Sequence, residues 1–394
     1  MSKHYPRQSL ASLYIGLMSG TSLDGVDAVL CSFADTFAIY AHVQEPMPAA
    51  LKEALLRLQT PSDNEIDLAA HAANALARLY AETVQQLLAS SAARQAMDKA
   101  AGKAAIQAIG CHGQTIRHQP DASAFAQASP YSIQINNPSL LAELSGINVI
   151  ADFRSRDLAA GGQGAPLVPA FHASLFSHAQ QHRVILNLGG MANLTNLPPA
   201  CKPLAGVNGF DCAPGMVLLD AWIQRHRAQA YDKHGEWAAG GNCDQALLTS
   251  LLAHPFLQRP PPKSCGREQF SLHWLEQAPL SAQIARLSAQ DVQATLLEFT
   301  ARSIAEAVER YCSGAQALYA CGGGANNNSL MHRLAELLPA VHVDTTAALA
   351  LPVETVEAAA FAWLAWRFMQ GATGNLPQVT GARGERLLGA LYPA

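Results

Sequence analysis

Three glycine-rich stretches, each placed behind an apolar run, carry the residue types that hold phosphate. They are Gly16-Leu17-Met18-Ser19-Gly20-Thr21-Ser22-Leu23-Asp24-Gly25, Asn187-Leu188-Gly189-Gly190-Met191-Ala192-Asn193 and Cys321-Gly322-Gly323-Gly324-Ala325-Asn326-Asn327. Glycine lets the backbone bend sharply and brings amide N–H groups against an anion with no side chain between them. Ser19, Thr21 and Ser22 add hydroxyl donors to the first stretch. One such bend also closes ordinary hairpins. Three in a single chain point to a nucleotide.

A candidate base lies in Gly209-Phe210-Asp211-Cys212-Ala213-Pro214-Gly215, ahead of a helix expected over 216–225. Two roles fit Asp211 here, general base or N-cap of that helix. His112, Gln114, Thr115, Arg117 and His118 crowd the turn after a strand ending at Cys111, with donors suited to hydroxyls or a carboxylate. The His112–His118 spacing is not that of a metal pair on one helix, so no zinc site is expected. On an extended segment Arg154 and Arg156 point the same way and can clamp an anion, or they pair at the surface with Asp152 and Asp157. Lys263, Ser264, Gly266 and Arg267 follow three prolines, either as a stiff loop bringing positive charge to a phosphate or as a solvated linker.

Elements that position these residues are legible from periodicity. Strands are expected over 13–18 and 26–31 around the first glycine bend, and over 104–111, 131–135 and 147–151. An amphipathic helix begins near Pro61, with Leu68, Ala72, Ala75 and Leu79 as its packing face. A short helix over 138–145 and another over 166–176 follow, separated by a glycine-rich loop at 159–164. Residues 184–188 and 193–197 repeat the strand, glycine bend and strand of the N-terminus, a short internal repeat that suggests a duplicated domain around a cleft. Ser288 with Asp291 opens a long core helix, and a strand at 317–320 leads through the third glycine bend into a helix at 329–338.

With 394 residues, 49% of them apolar and 14% charged, the chain is expected to fold as two domains. The net charge of −4 offers no broad attraction to nucleic acid or to an anionic membrane, so the expected ligand is small. Eight cysteines are scattered without a Cys-x-x-Cys pair, which suits buried free thiols. No signal-like or membrane-spanning apolar run is present, and a cytoplasmic protein is expected.

Taken together, these residues closely resemble the anhydro-N-acetylmuramic acid kinases of the actin, hexokinase and Hsp70-like ATPase superfamily. The resemblance rests on GLMSGTSLDGVD (16–27), CHGQTIRH (111–118), DFRSRDLAAGGQGAPLVP (152–169), NLGGMANLT (187–195), the segments 209–215 and 321–325, and 380–382 with 388–393 in the tail. It implies an α/β fold of two RNase H-like lobes with a central nucleotide cleft. The lobes are expected over 1–165 and 166–375, with the tail 376–394 joining the first. It also implies a kinase that opens the 1,6-anhydro ring with water and phosphorylates O6 from ATP, in cell-wall recycling; an ordinary sugar-hydroxyl kinase and a non-catalytic sensor are the alternatives.

By the same resemblance Asp211 is the catalytic base. Gly16, Ser19, Gly20, Thr21, Ser22, Asp24, Asn187, Gly189 and Gly190 hold phosphates, and Gly322, Gly323 and Gly324 lie near the adenosine. His112, Gln114, Thr115, Arg154, Arg156 and Glu357 bind the sugar, Asp24 holds Mg²⁺ through water, and the protein is a homodimer. The chain departs from the usual family pattern at Ala213 (glycine), Met216 (asparagine) and Cys265 (threonine).

Overall fold

The computed structural model describes residues 12–394 apart from 21, 34–35, 101–104, 121–129, 200–203, 205 and 267–268. Short, mostly buried runs form the central strands. The first sheet contains β1 (Leu13–Met18), β2 (Gly25–Ser32), β3 (Ala38–Pro46), β4 (Ile106–Cys111) and, beyond the hairpin of β5 (Gln114–Gln119) and β6 (Tyr131–Ile135), β7 (Val149–Ala151). The second contains β8 (Arg183–Leu188), β9 (Met191–Leu197), β10 (Asn208–Pro214), β11 (Ala317–Cys321) and β12 (His342–Thr345). The last strand, β13 (Ala390–Tyr392), returns to pair antiparallel with β7.

Both sheets are built on one plan. β3-β2-β1-β4-β7 and β10-β9-β8-β11-β12 have the same order, with three antiparallel strands continued by two parallel ones. The short repeat of strand, glycine bend and strand thus extends to an entire sheet, the duplicated α/β architecture expected from the resemblance.

Period-two alternation sorts the side chains of β2. Val26, Ala28 and Leu30 enter a core shared with the helix Glu65–Ala89, whereas Val29 and Cys31 enter a second core between the sheets. The Glu65–Ala89 helix buries Ala72, Leu76, Leu79 and Tyr80, while Ala75, expected on this face, is exposed. In the second half Ala289–Tyr311 is the central helix, and the hydroxyl of its N-cap Ser288 accepts from the Asp291 amide at 3.0 Å.

Between the sheets two helices cross over. Val168–Phe176, which follows β7 of the first sheet, packs on β9 of the second; Val356–Met369, which follows β12 of the second, packs on β1, β2 and β4 of the first. Gly16 and Gly110 are register partners on β1 and β4, and a Cβ on either would run into the carbonyls of Ala358 and Phe361. At Gly16, inside the strand, helix packing therefore requires the glycine.

Candidate active site

Asp211 sits within β10, so it does not cap the following helix. The β10–β9 register pairs Asp211 with Asn193 and Ala213 with Ala192, leaving Cys212 as the extra residue of a bulge. A bulge of this kind re-aims a neighbouring side chain. The next helix, Val217–Arg227, has no side-chain cap; instead the Gly215 and Val217 amides donate to the Gly190 carbonyl and the Met216 amide to that of Gly189. Asp211 is only 8% exposed, its Oδ2 accepts from the Cys265 amide at 3.0 Å, and its own amide donates to the Lys263 carbonyl at 3.1 Å. Burial lifts its pKa to about 6, against the opposing pull of the Cys265 amide and the Arg154 and Lys263 cations. That is the range in which a carboxylate works well as a base near neutrality.

Lys263 does not bring its charge to a phosphate. It is buried, with Nζ donating to the Phe256 and Leu257 carbonyls at 3.2 and 3.3 Å and lying 4.7 Å from the Phe256 ring centroid. Its place is structural, anchoring the loop whose backbone grips Asp211 on both sides. Cys265 serves there through its amide, which any residue but proline supplies. Beside it, the Ser264 hydroxyl donates to Gln163 Oε1 at 3.0 Å and meets His118 Nε2 of β5 at 3.3 Å.

Arg154 and Arg156 do not project together. The segment turns into the short helix Ser155–Ala159 instead of staying extended, which leaves Arg156 exposed and turns Arg154 inward. Arg154 Nε and Nη2 donate to His112 Nε2 at 3.2 and 2.8 Å, and Nη1 donates to the Gly164 carbonyl at 2.7 Å. Its guanidinium feels the carboxylates of Asp211, Glu357 and Asp157. Asp157 is no surface partner but a buried group. His112, buried and facing that cation, is held neutral well below the usual histidine range.

Glu357 stands in the first turn of the 356–369 helix, where Asn187 Nδ2 donates to it at 3.0 Å. Burial raises its pKa; Asn187 and Arg154 lower it, and the Asp27 carboxylate adds to the rise. Asn187 is thus committed to a carboxylate. Asp27, in hydrogen-bond contact with His42 at 2.9 Å, is a neighbour the sequence reading missed. The signal was there: an acid at a β2 position whose alternation turns it toward the face shared by Val29 and Cys31.

Gln114 is buried, donating to the Gly20 carbonyl at 3.2 Å, and its Oε1 has no partner among the described residues. Thr115 accepts from Gln134 at 3.1 Å. The Ser19 hydroxyl is taken by the Tyr80 hydroxyl at 2.6 Å, while Asp24 is exposed with Lys52 Nζ at 4.0 Å. Thr21 lies outside the described residues, as does Arg267. Each glycine bend keeps an open position. A Cβ added at Gly20 or Gly189 would meet no outside atom closer than 3.6 Å, and one at Gly323 would meet none within 4 Å. Gly322, by contrast, has φ +80° and Gly324 packs on Leu188 and Met216, so Met216 fills the place under the third bend. Ala213, fully buried, resumes the ladder after the bulge.

Among the described residues no group of three or more His, Cys, Asp or Glu side chains is arranged to hold a metal ion, and no helix is long and apolar enough to cross a membrane. The profile of the family described as anhydro-N-acetylmuramic acid kinase matches residues 12–394. Proteins of that name from Thiobacillus denitrificans and Variovorax paradoxus are 54% and 53% identical, over 98% and 97% of this chain and 98% and 99% of theirs. Among solved structures, the (R)-2-hydroxyglutaryl-CoA dehydratase component A of Acidaminococcus fermentans is 12% identical with a TM-score of 0.47, covering 89% of this chain and 95% of that one.

Proposed function

The chain belongs to the anhydro-N-acetylmuramic acid kinase family, and from that premise we propose that its cleft makes two bond changes on one sugar. Water opens the 1,6-anhydro ring and ATP phosphorylates the O6 so released, giving N-acetylmuramic acid 6-phosphate and ADP. Asp211 draws a proton from water as the water oxygen bonds to the anomeric carbon. The bond from that carbon to O6 breaks, O6 keeps the electron pair and attacks the γ-phosphorus, and ADP departs. The leaving group of the first change is the nucleophile of the second.

The observation that carries this reading is Asp211 itself. It is a buried carboxylate re-aimed by a bulge and poised at about 6, with the Arg154 cation from the other half of the molecule acting on it. Arg154, His112, Gln114 and Glu357 supply donors and acceptors for the sugar, with Thr115 beside them and Arg156 at the exposed rim. The space beside Gly20 and Gly189, where no side chain stands, suits close approach of a phosphate, and the open surface at Gly323 suits the nucleoside.

Mg²⁺ bound with a nucleotide takes most of its ligands from phosphate oxygens and water, so one or two carboxylates suffice. Asp24, a solvent-facing carboxylate on the first bend, fits that demand and would hold the ion through water. The ion would neutralise charge on the triphosphate. We assign the working protein to the cytoplasm and to cell-wall recycling, as a homodimer.

Turnover in heavy-oxygen water with ATP, Mg²⁺ and anhydro-N-acetylmuramic acid tests the reaction by mass spectrometry. One solvent oxygen at the anomeric carbon and one phosphoryl group on O6 are expected. A phosphorylated product without solvent oxygen would instead make the protein an ordinary sugar-hydroxyl kinase.

A further inference from the structure

Asp157 takes no part in the chemistry above, yet it is among the most completely enclosed charged groups in the chain, with 0% exposure. Among the described residues no cation forms an ion pair with it. Its Oδ1 accepts from Asn375 Nδ2 at 2.7 Å and from the Thr380 hydroxyl at 2.8 Å, both far away in sequence. Its Oδ2 accepts from the Gly164 amide at 2.8 Å, and a Cβ on Gly162 would run into the same carboxylate. A buried carboxylate held by three neutral donors is costly to leave unpaired and rigid once satisfied.

What that rigidity fixes is the backbone at Gly164, which has φ +68°. The Gly164 carbonyl is the acceptor for Arg154 Nη1 at 2.7 Å. With Nε and Nη2 donating to His112, the guanidinium is pinned from two sides, and one N–H on each terminal nitrogen is left for the cleft. Other bonds tie the tail to the same loop: the Gln163 amide donates to the Thr380 carbonyl at 2.8 Å and the Arg383 amide to that of Ala160 at 2.9 Å. Asn375 is itself braced by the Arg386 amide at 2.6 Å.

We propose that Asp157 is a positioning residue for the reaction, clamped by Asn375 and Thr380 so that the Gly164 carbonyl aims Arg154 at the bound sugar and at Asp211. The C-terminal segment thereby reaches the reacting centre through one carboxylate and one backbone carbonyl. This inference rests on the reading that Arg154 acts on the sugar or on Asp211.

A double-mutant cycle tests it, because a residue that works through another adds nothing once the other is gone. Asp157→Asn is expected to lower kcat for anhydro-N-acetylmuramic acid about tenfold and Thr380→Val about threefold, with the KM for ATP within about twofold of the parent. Introduced into Arg154→Gln, the same two substitutions should each change kcat by less than about twofold. Equal losses in both backgrounds would make Asp157 a merely structural group and overturn the proposal, as would parent-like kcat in both single variants. If Asp157→Asn fails to fold, the Thr380→Val cycle decides alone. If Arg154→Gln by itself keeps parent kcat and sugar KM, the reading of Arg154 fails and this inference falls with it. If Arg154→Gln is impaired and the cycle is additive, only the positioning role falls.

Discussion

Replacing Asp211 by asparagine should make the ligand-free protein more stable at neutral pH, by an amount set by the position of the carboxylate. Its pKa rises from 3.8 to about 6 on folding because burial outweighs the Cys265 amide and the Arg154 and Lys263 cations. A carboxylate raised in this way favours the fold while it is protonated. That contribution is complete below pH 3.8 and is lost as the pH climbs through about 6. A rise from 3.8 to about 6 corresponds to about 3 kcal/mol. Asparagine cannot ionise, yet its Oδ1 can still accept from Cys265, so Asp211→Asn should match the parent near pH 4 and exceed it by that amount near pH 8. For a chain of 394 residues, with about 2.1 cal/mol/K of unfolding entropy per residue, this is a gap of about 4 °C in the thermal midpoint. Calorimetric scans of both proteins from pH 4 to pH 8 measure the gap, and the groups they share cancel in the comparison. A gap that stays flat across this interval, or a parent that is the more stable at pH 8, would refute the argument from burial.

Activity should run the opposite way: Asp211→Asn should lose at least about 10³ in kcat, and for the parent kcat/KM for the sugar should fall about tenfold per unit below about pH 6, read from initial rates of ADP release. Gly16→Ala should lower the thermal midpoint by about 4 °C or more, since the new methyl group meets the Ala358 carbonyl and overpacking of a backbone contact costs about 3 kcal/mol; a parent-like midpoint would remove the packing role. Gly323→Ala, with no atom within 4 Å of the added carbon, should leave the midpoint unchanged while raising the KM for ATP about fivefold. Unaltered ATP kinetics in that variant would exclude the third bend from the nucleotide site.

Much of this architecture could be read in advance because the deciding signals are local. β6 and the Pro138–Ser145 helix fall on their expected residues, marked by alternation in one case and by a proline after Asn137 in the other. Ser288 capped its helix as its spacing with Asp291 predicts. The failures are places where tertiary structure decides. Nothing around Gly209-Phe210-Asp211 distinguishes a strand from a pre-helical bend until β9 is there to pair with it, and the bulge at Cys212 exists only in that pairing. Lys263 looked like a free cation after a proline run, but two carbonyls and an aromatic ring elsewhere in the same half claim it. Arg154 and Arg156 flank one serine, and a single helical turn was enough to separate them.

The exchange of helices between the sheets has a consequence for how the molecule can be divided. A chain severed after Phe176 would carry away the partner that β9 needs and leave behind the 356–369 segment that fills the trough at Gly16 and Gly110. Each fragment would then expose an apolar trench shaped for a piece of the other. Two such halves should be insoluble apart and recover activity only when produced together, and any opening of the cleft must bend around this shared spindle without pulling it out.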